Sequence, residues 1–378
     1  MRPDLQALVG QGVEAIDTPA LVVDLDAMER NLHRMADFAR EPGVKLRPHA
    51  KMHKCAALAR LQVEAGAVGL CVQKTAEAER LAERGVTDLF ISNQVIAPAK
   101  LARVAALARR LHAAGGQLAI AVDSALGVER LAQAMTAAGP ATQLDVFVEL
   151  DVGQHRCGVA PGPAAVALVR EVLRHPALRY AGLQAYQGSA QHQRSAAQRR
   201  ATIEEVAAEV ARTCTLLRAD GIEPGLVTGA GTGTFALEAA SGVFGELQAG
   251  SYLFMDADYA LNRPDPAQPA FEHALYVKTQ IISRSDDHAV CDAGHKSYAV
   301  DSGLPLVHGS DLQITGASDE AGVLRGPALP ARGDILWLIP GHCDPTVNLH
   351  DAMVGVRGGL ARGRVERILA VDARGALT

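Results

Sequence analysis

No apolar run in the 378-residue chain approaches the roughly 18 residues that cross a bilayer, although 48% of the residues are hydrophobic. Charge is equally unconcentrated. Lys and Arg number 37 and Asp and Glu 42, a net charge of 37 − 42 = −5, with no like-charge block and no basic stripe. That excludes the electrostatic footprint of a nucleic-acid binder. The opening segment, from Met1 to Pro19, lacks a basic stretch leading into an apolar one, so a secretory signal is not expected. Six cysteines (Cys55, Cys71, Cys157, Cys214, Cys291 and Cys343) show neither CxxC nor zinc-finger spacing. Reduced thiols in a soluble cytoplasmic protein are the expectation.

From about residue 44 to 256, short runs rich in Val, Ile and Leu alternate with Ala-rich stretches of helical periodicity such as 75–84, 97–114 and 196–220. The runs begin at Val44, Val68, Asp88, Gln117, Leu144, Tyr180, Gly225 and Leu247. Eight strands over about 210 residues with helices between them predict a closed (β/α)₈ barrel. A doubly wound open sheet is the alternative, weakened because no GxGxxG follows the first strand. Beyond about residue 260 the segments starting at Ala274, Ala289, Asp334 and Ala352 read as strands separated by Gly, Pro and Asp turns. The expected division is a barrel over 26–258 and an all-β domain over 259–378, which residues 1–25 join.

In such barrels chemistry gathers where strands end at the carboxyl face. The polar residues predicted there are Lys51, Gln73, Asn93, Asp123, Arg156, Tyr186, His192, Thr232 and Ser251. Strand seven leads into Thr228-Gly-Ala-Gly-Thr-Gly-Thr234 and strand eight into Ala249-Gly-Ser-Tyr252. Glycine lets backbone approach an anion closely, and these two loops commonly form a barrel's phosphate site; two Gly-rich turns are the plain alternative. Lys51 follows strand one among basic neighbours, Arg47-Pro-His-Ala-Lys-Met-His-Lys54. A lysine is ordinarily a solvated surface group, but a desolvated amine at a barrel mouth has a lowered pKa and can form a Schiff base. Together with a phosphate site across the mouth, it points to pyridoxal 5′-phosphate. Lys54 is expected inside the following helix. If Trp337-Leu-Ile leads to a strand end, His342 and Asp344 project to one side and Cys343 to the other. One imidazole and one carboxylate suit a divalent cation, though two residues alone are a weak metal signal and read more readily as a turn containing His and Asp.

Six segments, taken in order, resemble the D-threonine aldolase family of alanine-racemase-like, fold type III pyridoxal-phosphate enzymes. They are Asp17–Asp26, Arg47–Lys54, Val152–Gly158, Gln184–His192, Gly245–Tyr252 and Gly341–Thr346. The resemblance implies an N-terminal barrel, a C-terminal β domain and homodimers that share active sites. It places the cofactor linkage on Lys51, an arginine facing the phenolic oxygen at Arg156, and phosphate contacts at Thr232, Gly250, Ser251 and Tyr252. Gln73 and Tyr186 would line the cofactor pocket, His192 would be the catalytic base, and His342 with Asp344 would hold the metal. The dehydratases of this group generally carry His-x-Cys at the metal. The carboxylate here favours Mn²⁺ or Mg²⁺ and the aldolase branch, with Cys343 turned away. The implied reaction is retro-aldol cleavage of a D-threonine-like β-hydroxy-D-α-amino acid to glycine and an aldehyde; the alternatives are β-elimination by a D-serine or 3-hydroxyaspartate dehydratase, the nearest rival, and a β-hydroxyaspartate aldolase. Two departures stand out. Gln248 occupies the position of the racemases' arginine against the pyridine nitrogen, and Ala321 replaces a histidine expected near the substrate entrance.

Overall fold

A computed structural model describes residues 4–139 and 143–378. Its eight-stranded parallel sheet comprises β2 (Lys45–Leu46), β3 (Leu70–Val72), β4 (Asp88–Ile91), β5 (Gln117–Val122), β6 (Leu144–Glu149), β7 (Leu178–Ala185), β8 (Leu226–Gly229) and β9 (Glu246–Leu247). Neighbours follow chain order from β3 to β9, β9 pairs with β2, and a parallel bridge between His49 and Cys71 closes the ring. Around it lie α1 (Leu25–Arg40), α2 (Ala56–Glu64), α3 (Thr75–Glu83), α4 (Pro98–Ala113), α5 (Ala125–Ala138), α6 (Pro163–Leu173), α7 (Ala196–Ala219) and α8 (Phe235–Ala240).

The side-chain period of two sorts each strand into two cores. Leu70, Val72, Leu89, Ile91, Ile120, Val146 and Val148 face the helices, whereas Cys71, Phe90, Ala121 and Phe147 fill the barrel's middle. Phe90 and Phe147 meet there with ring centroids 4.8 Å apart. The helices form for local reasons. In α1 the Asp24 carboxylate caps the N–H groups of Asp26 and Ala27, and Leu25, Met28, Leu32 and Met35 recur at spacings of three and four on its buried face.

The second sheet has nine strands: β1 (Ala20–Asp24), β10 (Leu275–Arg284), β11 (Ala289–Cys291), β12 (Leu306–Val307), β13 (Gln313–Ala317), β14 (Gly322–Arg325), β15 (Ile335–Ile339), β16 (Ala352–Arg357) and β17 (Arg364–Ala370). β1 lies between β10, antiparallel to it, and β16, parallel to it. β10 also pairs with β11, so β11, β14, β13, β12, β15 and β10 form a closed ring. Strands β12, β13, β14 and β17 had no counterpart in the sequence reading. β12 is two residues long, β13 carries a register shift at Gly316, and in β17 the adjacent Glu366 and Arg367 interrupt the apolar residues.

Two local expectations are corrected. Residues 343–347 form α10 (Cys343–Val347), a short helix with His342 at its N-cap, rather than the end of a strand. The turn begins after Pro340, which has no N–H to extend the β15 ladder. Lys54 precedes α2 in a left-handed conformation (φ 50°), and its amine reaches Glu77 Oε1 at 3.2 Å and Asn348 Oδ1 at 2.9 Å. The remaining helix, α9 (Ala257–Ala260), follows the barrel's last loop. No described helix is long and apolar enough to cross a membrane.

Candidate active site

The carboxyl ends of the barrel strands open on a cavity of about 200 Å³, lined in part by Lys51, Gln73, Arg156, Tyr186, His192, Thr232, Gly250, Ser251, His342 and Asp344. Tyr252 lies outside it. Its ring is fully buried, with the hydroxyl accepting from Gln62 Nε2 at 3.1 Å, while its backbone N–H donates to Thr232 Oγ1 at 3.0 Å. Tyr252 therefore ties the β9 loop to the β8 loop through its backbone. Asn93 and Asp123 do not line the cavity either; they shape loops by donating to Gln73 O and accepting from Gly158 N. Ala321 sits in the turn between β13 and β14, where its carbonyl accepts from Ser318 N, away from the lining.

Two histidines fix the segment that carries Lys51. Lys51 N–H donates to His49 Nδ1 at 3.3 Å, and Cys55 N–H donates to His53 Nδ1 at 3.0 Å. With Nδ1 occupied as an acceptor, each neutral ring carries its proton on Nε2, His49 facing Gln73 Oε1 at 3.1 Å and His53 facing Gln62 Oε1 at 3.2 Å. Burial holds His49 well below the usual imidazole range and lowers His53 to about 4.

Lys51 itself corrects the sequence expectation of a lowered pKa. Burial alone would lower it, but the carboxylate of Asp344, 3.6 Å from Nζ, and the Tyr186 hydroxyl outweigh that and raise it. The guanidinium of Arg156 stands 5.8 Å from the centroid of the Tyr186 ring, within cation–π range.

Beside the segment that carries the lysine, the β8 and β9 loops supply backbone donors. Among the described residues, the N–H groups of Gly231, Thr232, Gly250 and Ser251 have no protein acceptor. Both glycines are sterically required: a Cβ on Gly250 would lie 2.7 Å from His49 O, and one on Gly231 would lie 2.5 Å from the Gln191 amide. Gln191, fully buried, braces this loop by accepting from Gly233 N at 2.8 Å and donating to Thr234 Oγ1 at 2.9 Å.

The remaining groups form two histidine–carboxylate pairs. His192 Nδ1 lies 2.6 Å from Asp258 Oδ2, and Arg194 holds the other oxygen of that carboxylate. His342 Nδ1 lies 2.6 Å from Asp301 Oδ2, which leaves Nε2 on the side of Asp344, 3.9 Å from Oδ1. Burial would lower the His342 pKa, but Asp344 and Asp301 together raise it. Cys343 points away from the cavity; its thiol lies 3.3 Å from Asp256 Oδ2 and is held protonated by burial and by the Asp256 and Asp344 carboxylates. Among the described residues no cluster of three or more His, Cys, Asp or Glu side chains is assembled for a metal ion. Sequence reasoning missed Asp258, Asp301 and Gln191. Only the helix-start pattern at Asp256–Ala260 offered any local signal for the first of them.

Comparison with known proteins places these features in context. Residues 23–258 match the family model for the alanine racemase N-terminal domain, and 274–356 match that for a putative serine dehydratase domain. The chain is 43% identical to a D-threonine aldolase of Arthrobacter sp., covering 97% of this chain and 95% of that one. It is 42% identical to a 3-hydroxy-D-aspartate aldolase of Paracoccus denitrificans, over 98% and 96%. A D-threo-3-hydroxyaspartate dehydratase of Delftia sp. is more distant at 32%, over 86% and 88%. Among solved structures, a D-threonine aldolase from Filomicrobium marinum superposes with a TM-score of 0.92 at 45% identity, covering 96% and 97%.

The buried His53 yields a pH prediction. Its unfolded pKa is about 6.5, above the folded value of about 4, so the unfolded chain binds more protons and stability falls as pH drops below 6.5. Between pH 7 and 5 the loss assignable to this group is about 2 kcal/mol. Urea unfolding at both pH values should show a fall in midpoint that is smaller in His53→Asn; equal falls in the two proteins contradict the assignment.

Proposed function

We propose a function on one premise: the chain belongs to the D-threonine aldolase family of alanine-racemase-like enzymes and is a carbon–carbon lyase. On this reading it cleaves β-hydroxy-D-α-amino acids between Cα and Cβ to glycine and an aldehyde, using pyridoxal 5′-phosphate and a divalent cation. The observation that carries it is one cavity in which a lysine faces four free backbone donors, a histidine–aspartate pair and a histidine beside a second carboxylate.

The residues fit the cofactor. Lys51 would hold its aldehyde carbon and Arg156 would face its phenolic oxygen. The N–H groups of Gly231, Thr232, Gly250 and Ser251 would take the phosphate at a place where two glycines leave room for it. The residues also fit a cation. Asp301 orients His342 with Nε2 free beside Asp344, the carboxylate–histidine arrangement of many metal ligands. An imidazole and a carboxylate, with Cys343 a protonated thiol facing elsewhere, favour Mn²⁺ or Mg²⁺ over a thiolate-bound zinc. When bound, the cofactor supplies an electron sink for the pair released at Cα, and the cation supplies a Lewis acid for the β-oxygen.

The chain's own groups then divide the work. Asp258 accepts from His192 Nδ1, leaving Nε2 to take the proton of the substrate β-hydroxyl. Arg194 keeps that carboxylate in place. Asp344 Oδ2 stands 3.6 Å from Lys51 Nζ, which sets the cation's carboxylate beside the cofactor's lysine. The six cysteines are unpaired in the structure, which suits the reducing cytoplasm that we also propose, together with a homodimer that shares its active sites.

Incubation with D-threonine and D-3-hydroxyaspartate isomers should release glycine and aldehyde, with chelator suppressing the reaction and Mn²⁺ or Mg²⁺ restoring it. A 2-oxo acid with ammonia would replace the aldolase by a dehydratase, and indifference to chelator would remove the metal. Lys51→Ala protein loaded with the cofactor should lack the yellow absorbance of a lysine-linked pyridoxal group; persistence of the colour moves the linkage elsewhere. His192→Ala should lose roughly 10²-fold or more in turnover. Asp258→Asn, which leaves the ring without its carboxylate partner, should lose less but in the same parameter. Normal turnover in both would place the base elsewhere.

A further inference from the structure

A chain of buried hydrogen bonds runs from the floor of the active-site cavity down the barrel axis to its opposite end. Gln184 and Gln248 line the cavity, each less than 5% exposed. Their side-chain amides pair reciprocally: Gln184 Nε2 donates to Gln248 Oε1 at 3.0 Å, and Gln248 Nε2 donates to Gln184 Oε1 at 2.7 Å. Gln248 Nε2 also donates to Thr228 Oγ1 at 2.8 Å, and Thr228 donates to Glu246 Oε1 at 2.8 Å. The other Glu246 oxygen accepts from Arg47 Nε at 3.1 Å, and Arg47 in turn pairs with Asp88. Thr228 is fully buried and Glu246 is 1% exposed. Glu246, Arg47 and Asp88 border a second cavity of about 450 Å³ at the amino ends of the strands.

The direction of every bond follows from one charge. A carboxylate paired with a guanidinium can only accept, so Thr228 spends its single proton on Glu246. Thr228 then meets Gln248 only as an acceptor, and Gln248 must turn its NH₂ inward. Carbonyl and amide ends of a glutamine are distinguished by their partners, and these partners decide. Both Gln248 amide hydrogens are consumed, one by Thr228 and one by Gln184. Gln248 has no proton to give to the cavity and offers it only a carbonyl lone pair.

We propose that Arg47, Glu246 and Thr228 are positioning residues that hold Gln248 as a hydrogen-bond acceptor for the ring nitrogen of the cofactor, and so keep that nitrogen protonated. The assignment rests on the pyridoxal-phosphate reading above. Within that reading, Lys51 takes the aldehyde, Arg156 the phenolic oxygen and the glycine loops the phosphate. The one heteroatom left is the ring nitrogen, para to the aldehyde carbon, and among the uncharged polar side chains that line the cavity we assign it to Gln248, whose amide hydrogens are both spent on Thr228 and Gln184. A protonated ring nitrogen withdraws electrons more strongly, so the relay couples a surface-side ion pair to the strength of the electron sink.

The test uses the whole enzyme reconstituted with pyridoxal 5′-phosphate labelled with ¹⁵N in the ring, its resonance reporting nitrogen protonation directly. Wild type and Thr228→Ser, which keeps the hydroxyl, should both show the protonated position. In Glu246→Gln the new amide can donate to Thr228, whose proton then turns to Gln248 and reverses that amide; the resonance should move to the unprotonated position. Thr228→Val, which removes the acceptor without touching the Arg47–Glu246 pair, should move it the same way and guards against a folding defect in the first variant. An unprotonated nitrogen in the wild type, or one position shared by all four proteins, overturns the relay alone. A wild-type protein that takes up no labelled cofactor overturns the functional reading and the relay with it.

Discussion

The buried carboxylate of Asp256 is the constraint on which the site depends. It is wholly inaccessible to solvent and accepts from the N–H groups of Tyr259 and Cys343, both at 3.0 Å, and from the Cys343 thiol. Burial raises its pKa, and the two backbone donors offset part of that. The next two residues continue the seam: Ala257 N–H donates to Pro340 O and Asp258 N–H to Gly341 O. One stretch of chain thus ends the barrel, presents Asp258 to His192 and clamps the loop that carries His342 and Asp344. The β domain completes a cavity that the barrel alone leaves unfinished.

The two ends of the barrel show why chemistry belongs at only one of them. The larger cavity, at the amino ends, is rich in charge, yet Arg47 is paired with Asp88 and Glu246, and Arg179 with Asp145. Phe90 and Phe147 fill the layer above. At the carboxyl end the loops leave backbone donors uncommitted, and lysine, histidine and carboxylate face one another across a small space. Uncommitted groups held by buried, fully bonded neighbours are what a binding and catalytic site requires.

How much of this was legible beforehand depended on the range of the interaction. The barrel strands announced themselves as Val- and Ile-rich runs because both faces are buried, one against helices and one in the barrel. The glycine loops were legible because Gly229, Gly231 and Gly233 cluster with threonines and Gly250 adjoins Ser251, although the groups that require glycine at 231 and 250, on Gln191 and His49, lie far off in the chain. β17 was not, since the adjacent Glu366 and Arg367 break the period of two that marks a strand. His342 and Asp344 were chosen correctly as neighbours but on the wrong scaffold, a strand instead of a helix cap. The Lys51 pKa was misjudged because Asp344, almost three hundred residues away, could not be placed beside it.

The amino-acid order by itself determined the repeating strand–helix periodicity, the glycine-rich turns and a lysine set among histidines, since each is written in residues only a few positions apart. Tertiary structure alone decided which carboxylate serves which base. His192 with Asp258, His342 with Asp301 and Lys51 with Asp344 are partnerships across 66, 41 and 293 positions. They exist because the closed barrel and the Asp256 seam bring those side chains within hydrogen-bond or ion-pair reach, and no local pattern encodes a distance across space.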